Sequence, residues 1–349
     1  MSSDSNTVNS VTELVFYHGN CLDGVSAAYC HMQYGGKAVT KYIPMAHNEI
    51  SVPAIQDKLS NVDLAQVKQV YVLDFNLDKD CYNYLLNANN DIQIVILDHH
   101  KTAKEAIEKL DEEFSGKNIQ FYFNLKYSGS VLSYLYFKVY FKKLEEFPKD
   151  EDVLDYFVKT QVPTWIKMVH DRDLWQWKYK NTKFFTTALF SKISVSTNNT
   201  NATNNNNVPA ELKAMCKINP SKAESVEILI DTGKIMSEQY ENQIQSIVDE
   251  RGYFEVDLLD VGVKGYAVNA SNLFSSELGS KLCRLDDEHK YAITFAFMEK
   301  NRVKCSIRST DDLDCSGIAK YFGGGGHPQA SGFNLTFEQF QKYILGLKL

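Results

Sequence analysis

No run of about 18 apolar residues interrupts the 349-residue chain, so no segment reads as a membrane-spanning helix. Positive charge is in short supply: 37 Lys and Arg face 44 Asp and Glu, a formal net charge of −7. That excludes the broad basic surface that long nucleic acid demands. No basic, aromatic-interleaved stripe suits a long single strand either. A short nucleotide held in a local pocket remains open. Met1–Ser10 holds no Lys or Arg and no apolar core, which is neither a secretory signal nor a mitochondrial presequence. The seven cysteines, at positions 21, 30, 81, 216, 283, 305 and 315, make no Cys-x-x-Cys pair. Reduced thiols in a cytoplasmic protein are the expectation.

What is present is the composition of an ordinary globular protein, 44% hydrophobic and 23% charged, with a length that suggests two domains. Its organising stretch is Val95-Ile96-Leu97-Asp98-His99-His100. The apolar run Ile92–Leu97 reads as a strand buried on both faces. Two other strands end in the same way: Glu13–Tyr17 at His18 and, after a short loop, Asp23-Gly24, and Gln69–Leu73 at Asp74. Lys37–Ile43 reads as a further strand, and helices follow over Val25–Gln33 and Asp78–Asn87. This alternation implies parallel βαβ units. The carboxyl ends of parallel strands lie on one side of a sheet, where ligands bind. Carboxylates and imidazoles tens of positions apart can therefore converge there. Oxygen and nitrogen donors suit Mn or Zn, and two ions about 3.5–4 Å apart can clamp a phosphoryl group. Further on, Trp165–Trp175 carries two acids, and either Asp171 or Asp173 can complete such a shell.

Past an Asn- and Thr-rich tract (Thr197–Asn207), read as a disordered surface insertion, a helical pattern covers Ser221–Glu250 and connects to a second domain. There Phe254–Leu259, Tyr291–Phe297 and Val303–Ile307 alternate as strands of a mixed sheet, with helices near Asn272–Leu285 and Cys315–Tyr321. Four consecutive glycines, Gly323–Gly326, precede His327-Pro328. They read as neither strand nor helix, but as a shaped turn whose successive N–H groups form an anion nest. Arg308-Ser309 places a guanidinium suited to phosphate at a strand end.

His18…Asp23-Gly24, Asp74, Asp98-His99-His100 and Arg308-Ser309…Gly323–His327-Pro328, in this order over roughly residues 13–340, together resemble the DHH phosphoesterases that carry a DHH-associated C-terminal domain. His18–Gly24 and Asp171–Trp175 are most similar to the branch that degrades very short RNAs. The resemblance implies an α/β fold: a parallel-sheet DHH domain (11–190), the Asn-rich loop and connecting helix (191–250), and a smaller mixed α/β substrate-binding domain (251–349), with the active site in the cleft between them. It implies His18 and Asp74 as ligands of one divalent ion, and Asp23, Asp74, His99 and Asp171 as ligands of a second, with Asp74 bridging. The ions are expected to be manganese. Asp98 orients the histidines, as groups behind metal ligands generally do, and His100 faces the scissile phosphate. Arg308, Ser309, Gly324, Gly325, Gly326 and His327 hold the substrate's other phosphate or nucleotide. One departure stands out. Many members have Asp-x-Asp where this chain has Cys21-Leu22-Asp23, and a thiolate is a softer ligand.

The expected activity is metal-dependent hydrolysis of short oligonucleotides or dinucleotides to mononucleotides by a water activated between two metals. A cyclic-nucleotide or small-phosphoester hydrolase is the alternative within the class, and a nucleotide sensor without hydrolysis the alternative outside it. The expected partners are the short substrate alone, with no long nucleic acid and no membrane; a homodimer is compatible with the sequence.

Overall fold

The computed structural model describes residues 11–19, 21–46, 49–140, 147, 151–197, 207–258, 262–299 and 301–347. Met1–Ser10 and nearly all of the Asn-rich tract lie outside these residues. Two compact units divide the chain: one comprises the residues up to His99 together with Ala103–Lys234, the other His100–Thr102 and Ile235–Leu349.

The first unit is built on a five-stranded sheet. Its strands are β1 (Glu13–His18), β2 (Thr40–Met45), β3 (Gln69–Leu73), β4 (Gln93–Asp98) and β5 (Ile119–Phe123). All neighbours pair in parallel, in the order β2-β1-β3-β4-β5. Its helices are α1 (Leu22–Tyr34), α2 (Val52–Lys58), α3 (Lys79–Ala88), α4 (Lys104–Glu113), α5 (Gly129–Tyr134), α6 (Glu151–Thr160), α7 (Thr164–Asp173), α8 (Thr182–Thr197) and α9 (Ala210–Ile218). The apolar runs seen in the sequence are explained by two covered faces. Leu14, Phe16, Val70, Val72, Ile94 and Ile96 pack with Ile55, Tyr82, Leu85, Ile107 and Leu110 of α2, α3 and α4. The alternate residues Val15, Tyr17 and Tyr71 point the other way and are also buried. There the Tyr71 ring meets Phe137 at 4.9 Å and His31 of α1 at 5.0 Å. Each such side chain contributes about 1.5–3 kcal/mol of burial, enough to make the strand register unambiguous.

Strand order reverses about β1, so the crevice beyond the carboxyl ends of β1 and β3 is the topological switch point of the sheet. His18 closes β1 and Asp74 follows β3 directly, one on each side of it.

The second unit holds a six-stranded sheet, in the order β10-β11-β9-β8-β7-β6. The strands are β6 (Tyr253–Val256), β7 (Lys264–Asn269), β8 (His289–Met298), β9 (Arg302–Ser309), β10 (Gly325–His327) and β11 (Ala330–Thr336). Only β7 and β8 pair in parallel, so the sheet is mixed, as expected. One face packs on α12 (Cys315–Tyr321) and α13 (Phe337–Tyr343). The other packs on α11 (Ser275–Leu282) and the end of α10 (Ala223–Asp249), which itself runs through the division between the units. No helix among the described residues is long and apolar enough to cross a membrane.

The glycine run corrects the sequence-based reading. The Gly323 and Gly324 N–H groups donate to Lys320 O (3.0 Å) and Ala319 O (2.8 Å) and close α12 in a Schellman motif, with Gly323 at φ 75°. Gly325 and Gly326 then pair with Gly332 and Ser331 as an edge strand. Two of the four amides expected in an anion nest are therefore spent on ending a helix. A strand made of glycine is tolerated here because backbones come close: a Cβ on Gly326 would lie 2.5 Å from Ala330 O.

Candidate metal centre

Two groups of donors meet at the switch point of the first unit. His18, Cys21 and Asp74 have ligand atoms mutually within 4.8 Å, and so do Asp23, His99 and Asp173. Asp74 belongs to both neighbourhoods: its Oδ2 lies 3.4 Å from His18 Nδ1 and its Oδ1 lies 3.0 Å from His99 Nε2. His99 Nε2 is also 3.5 Å from Asp173 Oδ2 and 3.8 Å from Asp23 Oδ2. Asp23, Asp74 and His99 are almost wholly buried.

Local backbone features hold these side chains. Asp74 has φ 65°, left-handed backbone that Asp accepts more readily than most residues, and its N–H donates to Leu97 O at 2.8 Å. Asp23 sits in the first turn of α1, and the next residue must be glycine because a Cβ there would lie 2.2 Å from His18 O. The Ser130 N–H, in the first turn of α5, donates to both Asp23 oxygens at 3.1 and 3.2 Å. Asp98 Oδ1 accepts the His99 N–H at 2.7 Å and so fixes the backbone from which that imidazole projects.

The electrostatics are those of a site built around cations. Burial pushes the Asp23 carboxyl well above the usual range, and Asp74 and Asp173 push it further. Burial alone would lower the His99 imidazole; Asp173, the bond to Asp74 and the Asp23 charge overcome that and raise it to about 10. The Cys21 thiol is pushed up by burial, then by Asp74, Asp173 and Asp23. A thiol so placed is no ready nucleophile. Three carboxylates crowded around one imidazole are a costly arrangement without further positive charge. Their oxygen and nitrogen donors fit divalent ions of the Mn type.

The structure brings together His18, Asp23, Asp74 and His99, with Asp98 behind them, and leaves Asp171 elsewhere. Asp171 Oδ1 accepts the Lys178 N–H (2.7 Å), and its Oδ2 accepts the Tyr179 N–H (3.1 Å) and the Thr182 hydroxyl (2.5 Å). It ties down the loop between α7 and α8, and Asp173 takes the place expected of it. His100 follows β4 and is half-buried. The sequence reading missed His170, whose Nδ1 accepts the Ser128 N–H at 3.2 Å. Burial, with the nearby His99, lowers that imidazole to about 4, so it stays neutral and holds the turn into α5. Nothing in the local pattern marks this role.

In the second unit, Arg308 Nη2 donates to Ser276 Oγ at 2.8 Å and Nη1 to Ile307 O at 2.9 Å. Ser309 is a correction: it is buried, and its hydroxyl donates to Leu313 O (2.6 Å) and Pro328 O (3.2 Å), tying β9 to the hairpin turn rather than facing a ligand. His327 is half-buried at the end of β10.

Residues 264–345 match the DHHA1 domain family. Over 330 residues the chain is 26% identical to the uncharacterized protein R106 of Acanthamoeba polyphaga mimivirus, an alignment covering 92% of this chain and 66% of that one. The chain thus spans just under two thirds of that relative's length. It is 23% identical over 339 residues to oligoribonuclease NrnB of Bacillus subtilis (strain 168), covering 94% of this chain and 74% of that one. Among solved structures, exonuclease RecJ bound to manganese aligns with a TM-score of 0.46 at 12% identity, over 96% of this chain and 88% of that one.

Proposed function

We propose that the chain, whose residues 264–345 match the DHHA1 domain family, is a DHH-family phosphoesterase: a divalent-metal-dependent phosphodiesterase that hydrolyses short oligonucleotides or dinucleotides to mononucleotides. The observation that carries this reading is Asp74, whose two oxygens face two separate donor groups, His18 on one side and His99 on the other. When bound, a pair of divalent ions supplies Lewis acidity towards the phosphoryl oxygens and brings the pKa of water towards neutral.

The chain's own residues do the positioning. His18, Cys21 and Asp74 hold one ion; Asp23, Asp74, His99 and Asp173 hold the other. Asp98 keeps His99 in place through its backbone, and Ser130 does the same for Asp23. His100, next in sequence, donates to the scissile phosphate. Arg308 and His327 of the DHHA1 domain bind a flanking phosphate or nucleotide and so orient the substrate. A short substrate is supported by the net charge of −7 and by the similarity to oligoribonuclease NrnB.

The test is to incubate the protein with manganese, with zinc and with the two together, and with end-labelled RNAs from the dinucleotide upward, alongside cyclic nucleotides and other small phosphoesters. Mononucleotide release that falls with RNA length is expected. Cleavage of a small phosphoester alone would keep the metal centre and overturn the substrate. No hydrolysis with any divalent ion would leave a nucleotide sensor as the better reading.

A further inference from the structure

The two donor groups that flank Asp74 are not chemically alike. One is Asp23, His99 and Asp173: two carboxylates and an imidazole, a hard set. The other is His18, Cys21 and Asp74, the group that contains a sulfur. The Cys21 sulfur is within 4.8 Å of donors on both His18 and Asp74, and it lies at the head of α1, one residue from the turn that delivers Asp23. Three residues from two strand ends and one helix start thus converge, with the thiol as one corner. Cys21 is free of any disulfide.

We propose that Cys21 is a thiolate ligand that makes the His18–Cys21–Asp74 position a site for a borderline-soft ion such as zinc or iron(II), unlike the oxygen-rich position beside it. This rests on the two-ion reading above and deepens it: the centre is heterodinuclear, with the metal at each position selected by its own donors. Soft thiolate ligands favour zinc and iron, whereas carboxylate-rich sets favour manganese and magnesium. One consequence is that manganese alone is a poor occupant of the sulfur-containing position, so the fully loaded centre requires two different metals. A second is that oxidising the sulfur removes a ligand.

Cobalt(II) is a direct probe, because a thiolate ligand gives an intense charge-transfer absorption in the near ultraviolet that oxygen and nitrogen donors do not. The chain is stripped with a chelator and titrated with cobalt under reducing conditions. A Cys216→Ala background removes the exposed thiol. The charge-transfer band is expected to rise to a plateau at one cobalt per chain, and to be lost in Cys21→Asp and Cys21→Ser while the visible ligand-field bands remain. The preference for zinc over manganese at that position, read by competition, is expected to fall in Cys21→Asp by at least what loss of an outer-sphere partner costs, roughly 10–100-fold. Ligand-field bands without a charge-transfer band in the unsubstituted chain would overturn the proposal and leave the metal-dependent hydrolase standing. A charge-transfer band that survives both substitutions would assign it to another thiol and also overturn it. No cobalt binding at all would overturn the metal centre itself. The decisive band is read with Cys21 intact, so a variant that fails to fold does not remove the test.

Discussion

Gly129 leaves open the space that Asp74 fills: a Cβ built on Gly129 would lie 2.6 Å from both Cβ and Oδ1 of Asp74. The start of α5 is therefore part of the candidate metal centre without offering a ligand to it. Asp74 cannot simply step aside, since it is buried and already held in left-handed backbone. Gly129→Ala is expected to rotate the carboxylate out of its bridging position. Manganese affinity by calorimetry should drop roughly tenfold or more, together with an overpacking cost of about 1–3 kcal/mol. Unchanged manganese affinity would mean that Asp74 is not held where the centre needs it.

The metal-free centre stores repulsion among Asp23, Asp74 and Asp173. Divalent ions that bind the folded chain alone should stabilise it, by about 2.7 kcal/mol at a hundredfold excess over Kd. Thermal melting with manganese and with chelator measures this. Asp74→Asn keeps the shape and suits the left-handed backbone, but loses a charge. Its metal-free melting temperature should equal or exceed that of the unsubstituted chain, while the manganese-induced rise disappears and hydrolysis is lost. A variant that keeps the rise would show that Asp74 does not bridge.

The parallel sheet and its ligand-bearing ends were legible because the strands carry unbroken apolar runs that stop at acids and imidazoles. Their convergence followed from topology alone. Three features were not legible. The left-handed turn at Asp74 leaves no trace in a sequence that shows an ordinary Asp after a strand. Gly323–Gly326 has no side chains to betray its partners, so the Schellman turn and the edge strand read together as one shaped turn with four free amides. On α7, Asp171 and Asp173 are two residues apart, which sets them about 200° apart around the axis. Only one faces the centre, and the motif Asp171-Arg-Asp173 does not say which.

His289, in the second unit, supplies a pH dependence. It is buried, with Nδ1 2.7 Å from Asp286 and Nε2 3.1 Å from Glu255, and it stacks on Tyr266. Burial works to lower this imidazole, but the bonds and charges of Asp286 and Glu255 outweigh it and raise the pKa. Both carboxyls are themselves held below the usual range and stay ionised near neutrality. A raised folded-state pKa means that this stabilisation is fully present below the unfolded value of about 6.5 and is lost as pH rises through the folded value. Hydrogen exchange of the β7 and β8 amides, corrected for intrinsic rate, should show protection falling as pH rises from the unfolded value of about 6.5 through the raised folded value. His289→Gln should be less protected at the acid end and nearly flat. A flat profile in the unsubstituted chain would remove the histidine from this role.

Asp171 and Asp173 should separate cleanly, because one ties down a loop and the other lies among the candidate ligands Asp23 and His99. Asp171→Ala strips acceptors from the Lys178 and Tyr179 N–H groups and the Thr182 hydroxyl. An unsatisfied buried donor, as the Thr182 hydroxyl would become, costs about 1–3 kcal/mol, so a fall in melting temperature is expected, with manganese affinity largely retained by the molecules still folded at low temperature. Asp173→Ala removes a carboxylate 3.5 Å from His99 Nε2. Because that carboxylate belongs to a crowded anionic cluster, its loss should leave the metal-free melting temperature unchanged or higher, while manganese affinity and hydrolysis collapse. Measuring melting and manganese binding on both variants decides the matter. If Asp171→Ala lost metal at full stability, or Asp173→Ala lost stability at full affinity, the ligand role would pass back to Asp171, and α7 would have to present its other face to the centre.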